Sequence, residues 1–250
     1  MNIVVNGHLL EFSDQGKGKV IVLLHGWGPN STTFKELSAL LVKKYRVITL
    51  DFPGFGGSPR PTTDWTVGDY ADCVAGFLKK LDLPVYAFIG HSFGGRVIIK
   101  GTATGVLNAE KIVLIGSAGV KTARSVKTHL ITAAAKTGKA VTSLPGLRQL
   151  RTKLRQQLYE SIGSTDYMNA GDMKQTFLNT INEDLLPLVP KVNQPALLIW
   201  GENDDATPVR QAKQINDALP HGELVVIPGA GHFVYLEKLP EVYKELERFL

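Results

Sequence analysis

Six short runs of mostly apolar residues recur along the 250-residue chain: VIVLLHG (20–26), RVITLDF (46–52), VYAFIGH (85–91), KIVLIGS (111–117), PALLIWG (195–201) and ELVVIPG (223–229). Each is too short for a capped helix and too uniformly apolar for a strand with one wet face. Each therefore reads as a strand buried on both sides of a parallel sheet. Helix-period stretches near 31–43, 67–82, 93–105, 208–218 and 235–249 separate most of them. Alternating strand and helix predict an α/β fold with a doubly wound, mostly parallel sheet. The opening IVVNGHLLEFSDQG adds two antiparallel edge strands joined at Asn6-Gly7, a dipeptide that accepts positive φ.

The alternation breaks once, from about 119 to 192, where no strand run occurs. Three helix-period pieces fill this stretch, at 124–141, 146–162 and 172–189. The expected organisation is a core of 1–118 and 193–250 with a helical insertion, 119–192, after the sixth strand. At 44% hydrophobic residues, a chain of this length buries a substantial core. The net charge of +5 is unevenly spread: nine Lys or Arg and no Asp or Glu lie between residues 120 and 159. Such a run is most often a solvated helical face, and the functional alternatives are attraction of an anionic substrate and weak association with a membrane or nucleic acid.

Several classes are excluded. No stretch of about 18 uncharged apolar residues occurs, and the N-terminus lacks a basic region followed by an apolar run, so neither a membrane span nor a signal peptide is expected. Cys73 is the only cysteine, set in a helix-period stretch that would bury it, which fits a reducing, cytoplasmic setting. The glycines of DFPGFGGSP lack the G-x-x-x-x-G-K-[ST] pattern of a phosphate loop. No nucleic-acid partner is expected, and a monomer and a homodimer are both compatible with the chain.

One motif carries chemistry. Gly90-His91-Ser92-Phe93-Gly94 matches G-x-S-x-G between a buried strand and a helix-period run, the context of a nucleophile elbow. A serine hydroxyl needs a base, and the base needs a carboxylate to fix its tautomer. Partners belong at the carboxyl ends of later strands. Asp204, with Asp205 beside it, follows the strand ending at Gly201, and His232 follows the strand ending near Pro228. The chain order serine, acid, histidine is the one this arrangement uses. For the acid, the competing reading is a cap on the next helix, a duty that Asp205 or Thr207 could also take. His25-Gly26-Trp27-Gly28 follows the first parallel strand and offers the Trp27 N–H as an oxyanion donor beside that of Phe93. His25 lies too early in the chain to be the base. Phe233 and Tyr235, next to the candidate base, are expected to line a substrate pocket.

These segments together make the chain resemble the α/β-hydrolase superfamily, in its lidded serine esterase and carbon-carbon hydrolase branch. The resemblance covers nearly the whole chain and rests on His25–Gly28, DFPGFGGS (51–58), Gly90–Gly95, GENDDATP (201–208) and GAGHF (229–233). It favours Asp204 over Asp205 as the acid and implies that 119–192 is a helical cap. It also implies that no metal or organic cofactor is needed. The expected activity is hydrolysis of small to medium carboxylic esters, anionic ones included, through Ser92, His232 and Asp204 and an acyl-enzyme. Carbon-carbon cleavage of the meta-cleavage product type is the alternative, but Asn30 replaces the last glycine of that branch's loop and Phe233 stands where tryptophan is common. Lactone hydrolysis would use the same triad. A ligand-binding homologue without turnover is the reading from another class, and an intact triad argues against it.

Overall fold

Branched apolar side chains dominate the central strands, and nearly all of them are sealed from water on both sheet faces. The computed structural model describes residues 1–121, 167 and 169–250. Eight strands appear: β1 (Asn2–Val5), β2 (His8–Gln15), β3 (Val20–Leu24), β4 (Arg46–Leu50), β5 (Val85–His91), β6 (Lys111–Ile115), β7 (Ala196–Gly201) and β8 (Gly222–Ile227). They join in one sheet in the order β1-β2-β4-β3-β5-β6-β7-β8. Strands β3 to β8 are mutually parallel, and the β1–β2 hairpin lies antiparallel at one edge. Its turn puts Asn6 and Gly7 at φ 50° and 84°, as the dipeptide anticipates. The doubly wound α/β sheet is as expected.

Among the described residues the helices are α1 (Lys35–Leu41), α2 (Val67–Leu81), α3 (Phe93–Ala103), α4 (Lys174–Asn182), α5 (Val209–Ala218), α6 (Val234–Glu237) and α7 (Leu239–Phe249). A capping box starts α2: Asp69 N–H donates to Thr66 Oγ1, and the Asp69 carboxylate accepts the Thr66 N–H. Two helices differ from expectation. The first begins as a 3-10 turn, Ser31–Phe34, capped by the Asn30 side chain. The last is broken into α6 and α7 at Lys238 (φ −136°, ψ 49°). Pro240 is tolerated in the first turn of α7, but it has no N–H for the Leu236 carbonyl four residues earlier, so one helix cannot run through.

Met1–Lys121 with Gln175–Leu250 form one compact unit, and Thr122–Lys174 form a second. Of the three helical pieces expected in the insertion, those at 124–141 and 146–162 lie outside the described residues. The third contains α4 and a 3-10 turn, Leu186–Lys191. Within the first unit, Trp65 N–H donates to Thr176 Oγ1 at 3.1 Å and Asn179 Nδ2 donates to the Trp65 carbonyl at 3.2 Å, fastening α4 to the loop before α2. In the same unit Leu185 N–H donates to the Gly119 carbonyl at 2.9 Å, joining the segment after β6 to the segment after α4. No helix among the described residues is long and apolar enough to cross a membrane.

Sheet order locates the crevice. The connection from β3 leads to β4 on one side, while β5, on the other side of β3, leads onward to β6. The two connections diverge beyond the carboxyl ends of β3 and β5, and ligands of open α/β sheets bind at such a divergence.

Candidate active site

Strand β5 ends at His91 and α3 begins at Phe93, so Ser92 alone makes the turn. It does so at φ 49°, ψ −106°, where a non-glycine residue is strained by about 1–3 kcal/mol. Hydrogen bonds hold it there. Its N–H donates to the Ile115 carbonyl at 3.0 Å, and its carbonyl accepts the N–H groups of Arg96 (3.2 Å) and Ala118 (3.1 Å). A side chain at Gly94 would collide with the Leu24 carbonyl, so glycine there lets the start of α3 sit against the end of β3. The rings of Trp27 and Phe93 consequently meet edge to face, 5.4 Å between centroids. The first N–H groups of α3 have no acceptor within the helix and point out of its N-terminus.

The loops after β7 and β8 bring the second pair together. His232 Nδ1 lies 2.9 Å from Asp204 Oδ2. Asp204 is buried, whereas Asp205 is exposed. The other carboxylate oxygen, Oδ1, accepts Thr207 N–H at 2.8 Å. The Thr207 hydroxyl has one proton and two acceptors, Asp204 Oδ2 at 2.8 Å and the Gly116 carbonyl at 3.1 Å. Burial alone would raise the Asp204 pKa; the hydrogen bonds from His232 and Thr207 outweigh it and hold the carboxyl below its ordinary value. As a carboxylate it can only accept, so Nδ1 of His232 carries the proton and Nε2 presents a lone pair. No side chain caps α5, whose N-cap is Pro208, so neither Asp205 nor Thr207 serves as that cap. Asp204 makes a local turn with Thr207 and contacts His232 at once.

The His232 loop is clamped on both sides. Asn203 N–H donates to the Ala230 carbonyl at 2.8 Å. Gly229 N–H donates to Glu202 at 3.0 Å, and Gly231 N–H to Glu237 at 2.7 Å. His25 is fully engaged elsewhere: Nδ1–H donates to the Gly26 carbonyl at 2.7 Å and Nε2 accepts Phe52 N–H at 3.0 Å. Burial, partly offset by the Gly26 bond and nearby Asp51, brings its pKa down to about 4. It is a buried loop fastener. Phe233 is 37% exposed, 5.4 Å from the His232 ring. Tyr235 is 1% exposed and packs on Phe34 (5.0 Å) and His91 (4.9 Å). Its ring belongs to the core beneath the site.

A profile of the group described as the Alpha/beta hydrolase family matches residues 21–245. The chain belongs to that family. Among curated proteins it is 28% identical over 256 residues to an uncharacterized hydrolase of Bacillus subtilis, YugF, covering 96% of this chain and 92% of that one. It is 27% identical over 271 residues to the pimeloyl-(acyl-carrier protein) methyl ester esterase of Shewanella woodyi, covering 96% and 97%. Among solved structures, an esterase from Exiguobacterium antarcticum superposes with a TM-score of 0.78 at 23% identity, over 99% of this chain and 98% of that chain. That likeness is one of fold.

In this alpha/beta hydrolase, three residues beside the expected set stand out. Thr207 supplies two of the three hydrogen bonds to Asp204. Phe55 and Phe177 complete an aromatic wall with Trp27, at 5.0 and 5.1 Å between centroids. Phe55 lies within the quoted DFPGFGGS segment and Thr207 within GENDDATP, so both were findable as neighbours of matched residues. Phe177 carries no local signal.

Proposed function

We propose that the protein is a serine hydrolase cleaving carboxylic esters of small to medium size. Ser92 Oγ attacks the ester carbonyl as His232 Nε2 takes its proton. The Asp204 carboxylate keeps the imidazole in the required tautomer and stabilises the imidazolium. The oxyanion is met by the N–H groups of Trp27 and Phe93. Collapse expels the alcohol, which takes the proton from His232 and leaves an acyl-enzyme. His232 then draws a proton from water, and the resulting attack frees the acid and restores Ser92.

The observation that carries this reading is the 2.9 Å His232–Asp204 contact on the same sheet edge as the strained Ser92 turn. The Shewanella woodyi relative, a methyl ester esterase by name, supports an ester over other acyl compounds. A Pseudomonas relative named as a 2-hydroxy-6-oxononadienedioate hydrolase is 25% identical over 265 residues, which keeps carbon-carbon cleavage as the second reading. Against it, Asn30 replaces a glycine and its side chain caps the turn at Ser31–Phe34. Residues 119–192 are assigned as a helical cap on a core of 1–118 and 193–250, because the chain departs after β6 from the edge bearing Ser92. A cytoplasmic setting belongs to the same reading, and the lone, buried Cys73, its thiol pKa pushed up to about 12 by burial, fits it.

The test is a panel of p-nitrophenyl esters, lactones and vinylogous diketones with wild type and Ser92→Ala. Turnover of esters that Ser92→Ala lacks is expected. Full ester turnover by Ser92→Ala would overturn the reading.

A further inference from the structure

We propose that His91, the residue before the nucleophile, is a positioning residue for His232, acting through its Nε2–H bond to the His232 backbone carbonyl. The inference rests on the triad reading above and adds a member that acts through the base and does not touch the substrate.

His91 closes β5 and is 1% exposed. Its Nε2 is 3.1 Å from the His232 carbonyl oxygen. A carbonyl only accepts, so Nε2 carries the hydrogen and Nδ1 is left as a bare lone pair. Among the described residues that Nδ1 has no hydrogen-bond partner. A side chain at Gly26 would come within 2.9 Å of it, so the ring occupies the space that a larger residue in the Trp27 loop would need. The remaining faces meet His232 at 4.8 Å, Phe233 at 5.0 Å and Tyr235 at 4.9 Å.

The ring thus stands where three segments converge: the loop after β3, the elbow, and the loop after β8. Asp204 fixes His232 through its imidazole; His91 fixes it through its main chain, from the residue adjoining Ser92. The distance over which the proton must pass is then set from one rigid strand end. Burial and the nearby His232 hold the His91 pKa down to about 3, so the ring stays neutral and adds no charge to oppose the imidazolium. The orphan nitrogen follows from the same arrangement, because the donor needed at Nε2 leaves Nδ1 facing a glycine.

The test compares His91→Phe, which keeps an aromatic ring but loses the donor, with His91→Gln, whose amide N–H reaches towards the same carbonyl. Both are measured with p-nitrophenyl butyrate and by the rate of fluorophosphonate labelling. Misplacement of a catalytic group by an ångström costs up to about 100-fold, so His91→Phe should lose roughly 10- to 100-fold in kcat with KM within about twofold. His91→Gln should recover most of that loss. A packing role alone would give no kcat-specific loss and no recovery by glutamine. Wild-type kcat in a folded His91→Phe, or a loss that glutamine does not restore, overturns the proposal. If His91→Phe does not fold, His91→Met against His91→Gln makes the same comparison. Wild-type protein that neither turns over esters nor labels at Ser92 would sink the triad reading and this proposal together. Active, labelled wild type with an indifferent His91→Phe would sink this proposal alone.

Discussion

Asp204→Asn changes one atom and reverses one hydrogen bond. Thr207 N–H, 2.8 Å from Oδ1, can be satisfied only by the amide oxygen, so that oxygen takes the Oδ1 position. The amide nitrogen then takes the Oδ2 position, 2.9 Å from His232 Nδ1. Thr207 Oγ1 does not resist this, since a hydroxyl accepts as readily as it donates. Two N–H groups cannot face each other, and His232 answers by moving its proton to Nε2. In that tautomer it cannot take the proton of Ser92. An imidazole held in the wrong tautomer lowers kcat by roughly 10⁴-fold in a serine triad, about 5 kcal/mol of barrier. The assay is kcat for p-nitrophenyl butyrate with Asp204→Asn and Asp205→Asn in parallel, folding checked by circular dichroism. Asp205 is exposed, and its variant should stay near wild type. A loss below about tenfold for Asp204→Asn, or a larger loss for Asp205→Asn, would refute the reasoning.

Three further outcomes follow from the geometry. Thr207→Val keeps the shape and the N–H bond to Oδ1 but removes the hydroxyl bond to Asp204. A hydrogen bond to a charged group contributes about 1.5–3 kcal/mol, so the thermal midpoint should fall by roughly 3–12 °C, with kcat reduced less than in Asp204→Asn; an unchanged midpoint would contradict this. Gly94→Ala drives a methyl into the Leu24 carbonyl; overpacking of this kind costs about 1–3 kcal/mol, and both stability and the Ser92 labelling rate should drop. For acid unfolding the sign is set by His25 and His91, held down to about 4 and about 3 against roughly 6.5 in the unfolded chain. The folded chain takes these protons later than the unfolded one, so the stability they contribute is complete above about pH 6.5 and is lost as pH falls towards 4 and 3. The lowered Asp204 carboxyl contributes stability that is complete above its ordinary value and is lost as pH falls below it. Urea midpoints should therefore decline between pH 7 and pH 5, and a flat profile would rule this out.

The sheet was legible because five strands, β3 to β7, are buried on both faces, which leaves short apolar runs that no amphipathic helix would write; β8, expected to be buried likewise, is instead an edge strand with Glu223 and Val226 exposed. The placement of Ser92, Asp204 and His232 on one edge of the sheet was legible for a related reason: each follows the end of such a run, where a parallel sheet gathers its loops. What was not legible depends on tertiary closure. Asp204 and Asp205 are equivalent by local chemistry, and only the approach of the β8 loop turns one inward against His232 and leaves the other exposed. Thr207 reads as a turn residue before a helix; its hydroxyl acquires two acceptors only when the end of β6 brings the Gly116 carbonyl alongside. Tyr235 was expected beside substrate because it follows His232 closely, but α6 turns its ring inward onto Phe34. Phe177 meets Trp27 across 150 residues of chain, a distance no local pattern spans.

The central claim is that Ser92 is the nucleophile, and mass spectrometry of the protein treated with a fluorophosphonate tests it most directly. The account predicts one phosphonyl group gained with loss of fluoride, carried by the peptide containing Ser92, in step with loss of ester turnover and absent from Ser92→Ala. Full esterase activity in protein that gains no label, or a label on any residue other than Ser92, would contradict it.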